Sequence, residues 1–149
     1  MAFTTRTIEN GDVKAISMLS EQLGYIATEH DTAAQILQIN SSENDVAYVA
    51  MDAGRIIGWI HVFYALRIES QPFCEVGGLV VDEQYRGKGV GKILVEKAIQ
   101  WSDRKNCKRL VVRSNAKRNE AHQFYIKLGF KEIKQQKVFE LKNNDEIKI

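Results

Sequence analysis

Two apolar periods alternate along the chain, and together they predict nearly every element. Phe3 to Ile8 alternates as a short strand. Asn10 or Asp12 then caps a helix with Val13, Ile16, Leu19 and Leu23 on one face, closed by Gly24. Thr28 and Asp31 open a second helix, carrying Ile36, Leu37 and Ile39, that stops among the polar residues 40–44. Asp45 to Met51 and Ile56 to Ile68 are β-rich runs joined by Asp52-Ala53-Gly54-Arg55, a hairpin turn with glycine where a positive φ is expected. After the loop from Glu69 to Pro72, a further strand starts near Phe73 and runs through Val81.

The stretch from Val76 to Trp101 organises the rest of the chain. Its apolar run Leu79-Val80-Val81 breaks at a charged turn, crosses Gly87, Gly89 and Gly91, and becomes a helix whose buried stripe reads Val90, Leu94, Ala98 and Trp101. Unsatisfied N–H groups in the first turn of such a helix, with the positive end of its dipole, make a site for an anion. Two common phosphate motifs fail here. A P-loop needs glycine five residues before Gly91 and Ser or Thr after Lys92, where the chain has Arg86 and Ile93. A dinucleotide fingerprint needs glycine at Lys92, and the next strand, Arg109 to Arg113, ends in a base where a ribose-binding acid is required.

The motif that does match is Arg-x-x-Gly-x-Gly, Arg86 to Gly91, between a Leu-Val-Val strand and an amphipathic helix. It resembles the acetyl-CoA pyrophosphate loop of the GNAT superfamily of N-acetyltransferases. A second and more specific signature lies downstream. After the strand from Lys108 to Ser114, the run Ala121-His122-Gln123-Phe124-Tyr125-Ile126-Lys127-Leu128-Gly129-Phe130 reads as a short helix stopped by Gly129, with Phe124 and Leu128 turned to the core. Lys131 to Ile133 and Val138 to Leu141 are expected to form a closing hairpin, and residues 143–149 a polar tail.

The resemblance covers nearly the whole chain and implies one acetyltransferase domain over residues 1–142. The fold it implies is α/β: a mixed, largely antiparallel sheet flanked by helices, splayed between the Glu75 strand and the Leu110 strand to admit coenzyme A. It assigns the cosubstrate to Leu79, Val80 and Val81, whose backbone would pair with the pantetheine arm, and to Arg86, Gly87, Lys88, Gly89, Val90, Gly91 and Lys92 around the pyrophosphate. Tyr125 is the family tyrosine that reaches the sulfur, and Glu75 stands where some members carry a general base. Glu75 as a salt-bridged structural residue is the competing reading. The Gly77-Gly78 pair inside a strand marks a bulge or a close approach, which the pantetheine arm would supply.

His61 reads in two ways, as a packed strand residue with one hydrogen bond or as a substrate contact. His122, beside Tyr125, reads as a capping or packing residue. Direct transfer to a primary amine is the expected reaction, with a small molecule as acceptor; a protein or peptide amine, or acetyl-CoA sensing without turnover, are the alternatives.

Composition adjusts this picture at the edges. With 149 residues, 44% hydrophobic and 27% charged, the chain can bury a core. Its net charge of +2 is spread over interleaved cations and acids, which argues against nucleic-acid binding. No long apolar run predicts a signal peptide or membrane span. Cys74 and Cys107 make neither a metal-ligand spacing nor a disulfide framework, so no metal is expected and the cytoplasm is the expected compartment. A homodimer is as compatible with the sequence as a monomer.

Overall fold

The structure is a computed structural model that describes residues 2–148. It divides into two compact units, Met1–Arg113 and Ser114–Ile149.

In the first unit a five-stranded sheet has the order β1-β2-β3-β4-β5: β1 Thr4–Thr7, β2 Asp45–Asp52, β3 Arg55–Ala65, β4 Phe73–Val81 and β5 Leu110–Val112. Each of the first four strands is antiparallel to its neighbour, and β5 is parallel to β4. The β2–β3 turn places Ala53 at φ 48° and Gly54 at φ 83°, the paired positive values of a twisted two-residue hairpin. The second run stops at Ala65 rather than Ile68, because β4 begins opposite Ala65 at Phe73; Leu66 and Ile68 beyond it are exposed.

Helices α1 Val13–Glu21 and α2 Glu29–Ser41 meet one face of the sheet. There Ile8, Ile16, Ile36, Ala47 and Val49 form a core cluster with Trp59 packed against it. Asp12 precedes α1 without capping it through its side chain. Its carboxylate instead accepts from Glu9 N at 2.8 Å and from both terminal nitrogens of Arg6, at 2.8 and 3.0 Å. Thr28 does cap α2, accepting from Asp31 N at 3.0 Å. The buried stripe of α2 is Thr32 and Ile36, and Leu37 points outward, one residue and 100° away from Ile36.

Helix α3, Val90–Arg104, packs on the sheet through Val90, Leu94, Ala98 and Trp101, the predicted stripe. It ends with Asn106 at φ 59° and a hydrogen bond from Cys107 N to Ser102 O, a Schellman closure with Asn in place of Gly. Strand β5 is half-buried, as the last strand in the sheet order.

The second unit contains α4, Asn119–Lys127. Gly129 at φ 106° closes it, with Phe130 N donating to Tyr125 O and Gly129 N to Ile126 O, both at 3.0 Å. The expected closing hairpin is absent among the described residues: 131–141 carry no strand, and Ile133, Val138, Phe139 and Leu141 are exposed.

Candidate active site

The site on the first unit begins where β5 stops. Cys74 N donates to Arg109 O at 3.1 Å, and the β4–β5 pairing ends at Val76 opposite Val112. The next residue, Gly77, is a β-bulge: Val62 faces Val76 but His61 faces Gly78, so β4 carries one extra residue. From Gly78 to Val81, β4 is hydrogen-bonded to β3 on one side and has no β5 partner on the other. This is the splay the family resemblance implied.

The bulge also resets which backbone groups face the opening. Asp82 N donates to Ile57 O at 2.8 Å, toward β3, so alternation along the strand turns Val80 toward β3 as well. The N–H groups of Leu79 and Val81 are left on the open edge. Without the extra residue at Gly77 that phase would be reversed, since Cys74 faces β5 and only even positions would follow it.

The Gly-Gly pair has a different cause from the one expected. A Cβ on Gly78 would come 2.8 Å from Cη2 of Trp59, and one on Gly77 2.6 Å from Nδ1 of His61. The close neighbours of these glycines are two β3 side chains lying across β4, and a pantetheine arm is not needed to explain them.

Past Val81 the chain makes a braced turn. Buried Asp82 accepts from Gln84 N at 3.1 Å and pairs with Arg55 at 3.3 Å. Tyr85 donates to Asp52 Oδ2 at 2.8 Å, which raises the phenol's pKa, and Lys88 Nζ lies 5.2 Å from the Tyr85 ring centroid. Gly87 and Gly89 then take φ 78° and 87°, and Gly89 is the N-cap of α3, with no side chain capping the helix. Among the described residues, the N–H groups of the first turn of α3 therefore stand without a side-chain cap, at the positive end of a fifteen-residue helix. Arg86, Lys88 and Lys92 are exposed around it, whereas Val90 and Gly91 are buried.

Glu75 is buried, and its Oε1 and Oε2 each accept from Arg113 Nε at 3.2 Å. It thus takes the ion-paired arrangement that competed with the general-base reading. His61 accepts neither reading alone: its Nε2 lies 2.8 Å from Asp45 Oδ1, the single hydrogen bond of a strand residue, yet its side chain lines a cavity of about 420 Å³ with Gln35, Gln38, Ile39, Ser42 and Asp45. Ser42 and Asp45 carry no motif that would single them out in the sequence. Asp45 meets His61 through strand register, which periodicity alone does not reveal, and Ser42 joins them by donating to Asp45 Oδ2.

Both cysteines are buried and unpaired as disulfides. Burial first, and a hydrogen bond with Cys74, push the Cys107 thiol up to about 11, which leaves it protonated and a poor nucleophile at neutral pH.

Within the second unit, Tyr125 is half-buried on α4, its ring edge-on to Phe124 at 5.2 Å and to Phe130 at 5.5 Å between centroids. His122 donates from Nε2 to Asn115 O at 2.8 Å, so it fastens the turn before α4 as a packing residue.

Similarity to known proteins agrees with this geometry. The N-acetylaspartate synthetase of Xenopus tropicalis is 30% identical over 86 residues, 58% of this chain and 31% of that protein. An uncharacterised N-acetyltransferase of Methanocaldococcus jannaschii is 30% identical over 87 residues, 58% of this chain and 34% of that protein. The chain spans about a third of the length of these relatives. Among solved structures, AAC(6')-Iy in complex with a bisubstrate analogue superposes with a TM-score of 0.86 at 18% identity, covering 95% of this chain and 99% of that one. The aminoglycoside 6'-N-acetyltransferase AAC(6')-IG of Acinetobacter haemolyticus gives a TM-score of 0.84 at 17% identity, covering 95% and 99%. At these identities the likeness shows the fold. The model of the acetyltransferase (GNAT) family matches residues 13–130, across the open β4 edge, the glycine turn and α4, and the chain belongs to that family.

Proposed function

We propose that this protein is an N-acetyltransferase that moves the acetyl group of acetyl-CoA directly to a primary amine of a small molecule. The observation that carries the reading is the open β4 edge from Gly78 to Val81 leading into an uncapped α3 N-terminus: open-edge N–H donors next to an anion site suit an amide-bearing arm that ends in a pyrophosphate. Leu79, Val80 and Val81 would hold the arm, and Arg86, Gly87, Lys88, Gly89, Val90, Gly91 and Lys92 the pyrophosphate. Bound there, acetyl-CoA supplies an activated acyl group.

The chain's own groups then have three tasks. An amine with pKa near 10.4 is protonated at neutral pH, and its free-base form is suppressed by roughly 4 kcal/mol, so a proton must be removed. Negative charge building on the carbonyl oxygen during attack needs a fixed donor, which the N–H of Leu79 or Val81 provides. The departing sulfur needs a hydrogen bond, which the family motif assigns to Tyr125. Glu75 belongs to the site as its buried carboxylate, and to act as base it must release Arg113. The raised thiol of Cys107 favours direct transfer over a covalent route.

Several solved neighbours are aminoglycoside acetyltransferases, which supports a small-molecule amine as acceptor. The buried thiols suit a reducing cytoplasm. Residues 1–142 would act as one domain, since the family match crosses the boundary between the two units. The test is a panel of amines incubated with acetyl-CoA and read by release of free thiol. Amine-dependent release is expected; acetyl-CoA binding without release from any amine would leave a sensor.

A further inference from the structure

We propose that the cavity between α2 and the β2–β3 strands receives the acceptor amine, and that His61, oriented by Asp45, takes its proton. This rests on the acetyltransferase reading and names the acceptor's chemistry: a compact cationic amine that carries hydroxyl groups.

The geometry begins with Asp45. Its Oδ1 lies 2.8 Å from His61 Nε2, and its Oδ2 accepts from Ser42 Oγ at 2.8 Å, so the carboxylate is fixed from both sides. A carboxylate partner requires the proton on Nε2, which leaves Nδ1 with its lone pair. Among the described residues Nδ1 has no hydrogen-bond partner, and it lies above Gly77, where any side chain would take its space. The His61 and Asp45 side chains are 25% and 27% exposed, enough for a ligand to reach them.

The position suits the reaction. Gly77 is the bulge residue, and the open-edge N–H of Leu79 lies two residues further along β4, roughly 6–7 Å of strand. The imidazole itself fills the space over Gly77, so an amine in the cavity would meet the ring from the α2 side, over the sheet face that carries this part of β4. The groups around His61 are Asp45 from β2, the neutral Gln35 and Gln38 from α2 with Ser42 just beyond it, and Gly77 from β4; Glu75, held by Arg113, lies on the same sheet face. Asp45, Gln35, Gln38 and Ser42 outnumber the one aliphatic side chain, Ile39, and favour an ammonium with neighbouring hydroxyls over a long alkyl chain. A volume of about 420 Å³ fits a small molecule.

In the proton step, His61 Nδ1 takes one proton from the ammonium and becomes imidazolium, paired with Asp45. The amine nitrogen then forms a bond to the acyl carbon as the carbon–sulfur bond breaks. The second nitrogen proton ends on the departing thiolate, and the imidazolium returns its proton to solvent. Glu75 is the weaker choice for this task, because both its oxygens are engaged by Arg113.

Calorimetry with glucosamine, ethanolamine and hexylamine tests the pocket without relying on turnover. Glucosamine or ethanolamine should bind wild type at least tenfold more tightly than hexylamine does, and Asp45→Asn should remove that preference. Turnover then tests the proton step. His61→Gln should lower kcat about a hundredfold or more with the KM for acetyl-CoA unchanged, Glu75→Gln should lower it less, and added imidazole should restore part of the activity of His61→Gly. Absence of binding by all three amines, equal binding by wild type and Asp45→Asn, or wild-type turnover by His61→Gln would overturn the proposal. Binding that depends on Asp45 with no thiol release from wild type would keep the pocket and overturn the transfer reading together with the proton step.

Discussion

A side chain on Gly77 would begin 2.6 Å from Nδ1 of His61, closer than any real Cβ contact. The glycine in β4 and the histidine in β3 therefore occupy one space, and the ring cannot yield freely because Asp45 holds its other nitrogen at 2.8 Å.

Gly77→Ala should accordingly push the imidazole away from Asp45. Overpacking of this kind costs about 1–3 kcal/mol, and amine turnover should fall at least tenfold while acetyl-CoA affinity stays unchanged. In a His61→Ala background the same substitution should be nearly neutral in urea unfolding, because the ring is gone. An equal loss in both backgrounds would show that the bulge backbone, rather than the ring, requires glycine.

Gly89 separates conformation from space. A Cβ there would meet nothing within 4 Å, yet φ is +87°, so the restriction is one of backbone conformation. Gly89→Asn, which tolerates the left-handed region, should keep most acetyl-CoA affinity, whereas β-branched Gly89→Val should lose it and destabilise the fold by about 1–2 kcal/mol. Lys88→Ala should weaken binding only modestly, since backbone N–H groups dominate the site. Calorimetry on the three variants checks the order.

Tyr125→Phe keeps the ring that meets Phe124 and Phe130 edge-on and removes only the hydroxyl. If that hydroxyl supports the leaving sulfur, turnover should drop by about a hundredfold with acetyl-CoA binding unaltered. A structural hydroxyl would instead cost about 1 kcal/mol of stability and little rate. Wild-type turnover on a verified acceptor, with chemistry limiting, would remove Tyr125 from the reaction.

Asp12 ties β1 to the start of α1. Its hydrogen bonds from Arg6, opposed by burial, hold the carboxyl below the ordinary range. A depressed folded value contributes stability above the unfolded pKa of about 3.9, and that stability is lost as pH falls through the folded value. Asp12→Asn should thus cost roughly 1–3 kcal/mol at pH 7, and its gap from wild type should shrink below about pH 4 and close in stronger acid. Urea midpoints at pH 7 and pH 3 measure the difference.

Local signals in the sequence determined the helices, the hairpin turn at Ala53-Gly54, the α3 stripe and the glycine turn, because each depends on residues within a few positions of one another. Lys131 to Leu141 failed for the converse reason: its alternation is local, but a strand is held by pairing with residues far along the chain, and the described residues form no strand there.

Register was decided only by the tertiary structure, and the proposed acceptor pocket depends on it. Counting back from the turn pair Asp52 and Arg55 would set Asp45 opposite Val62 and put its side chain on the face away from His61. The irregularity at Ala50 and Met51 shifts that pairing by one residue, so Asp45 faces Phe63 and shares a face with His61. A second shift, at Gly77, turns the N–H groups of Leu79 and Val81 to the open edge. The sequence by itself determined that a glycine turn would follow a strand and open a helix. Which side chains meet across the sheet depended on two single-residue bulges, and because side chains alternate with a period of two, each bulge exchanges the faces of every residue beyond it.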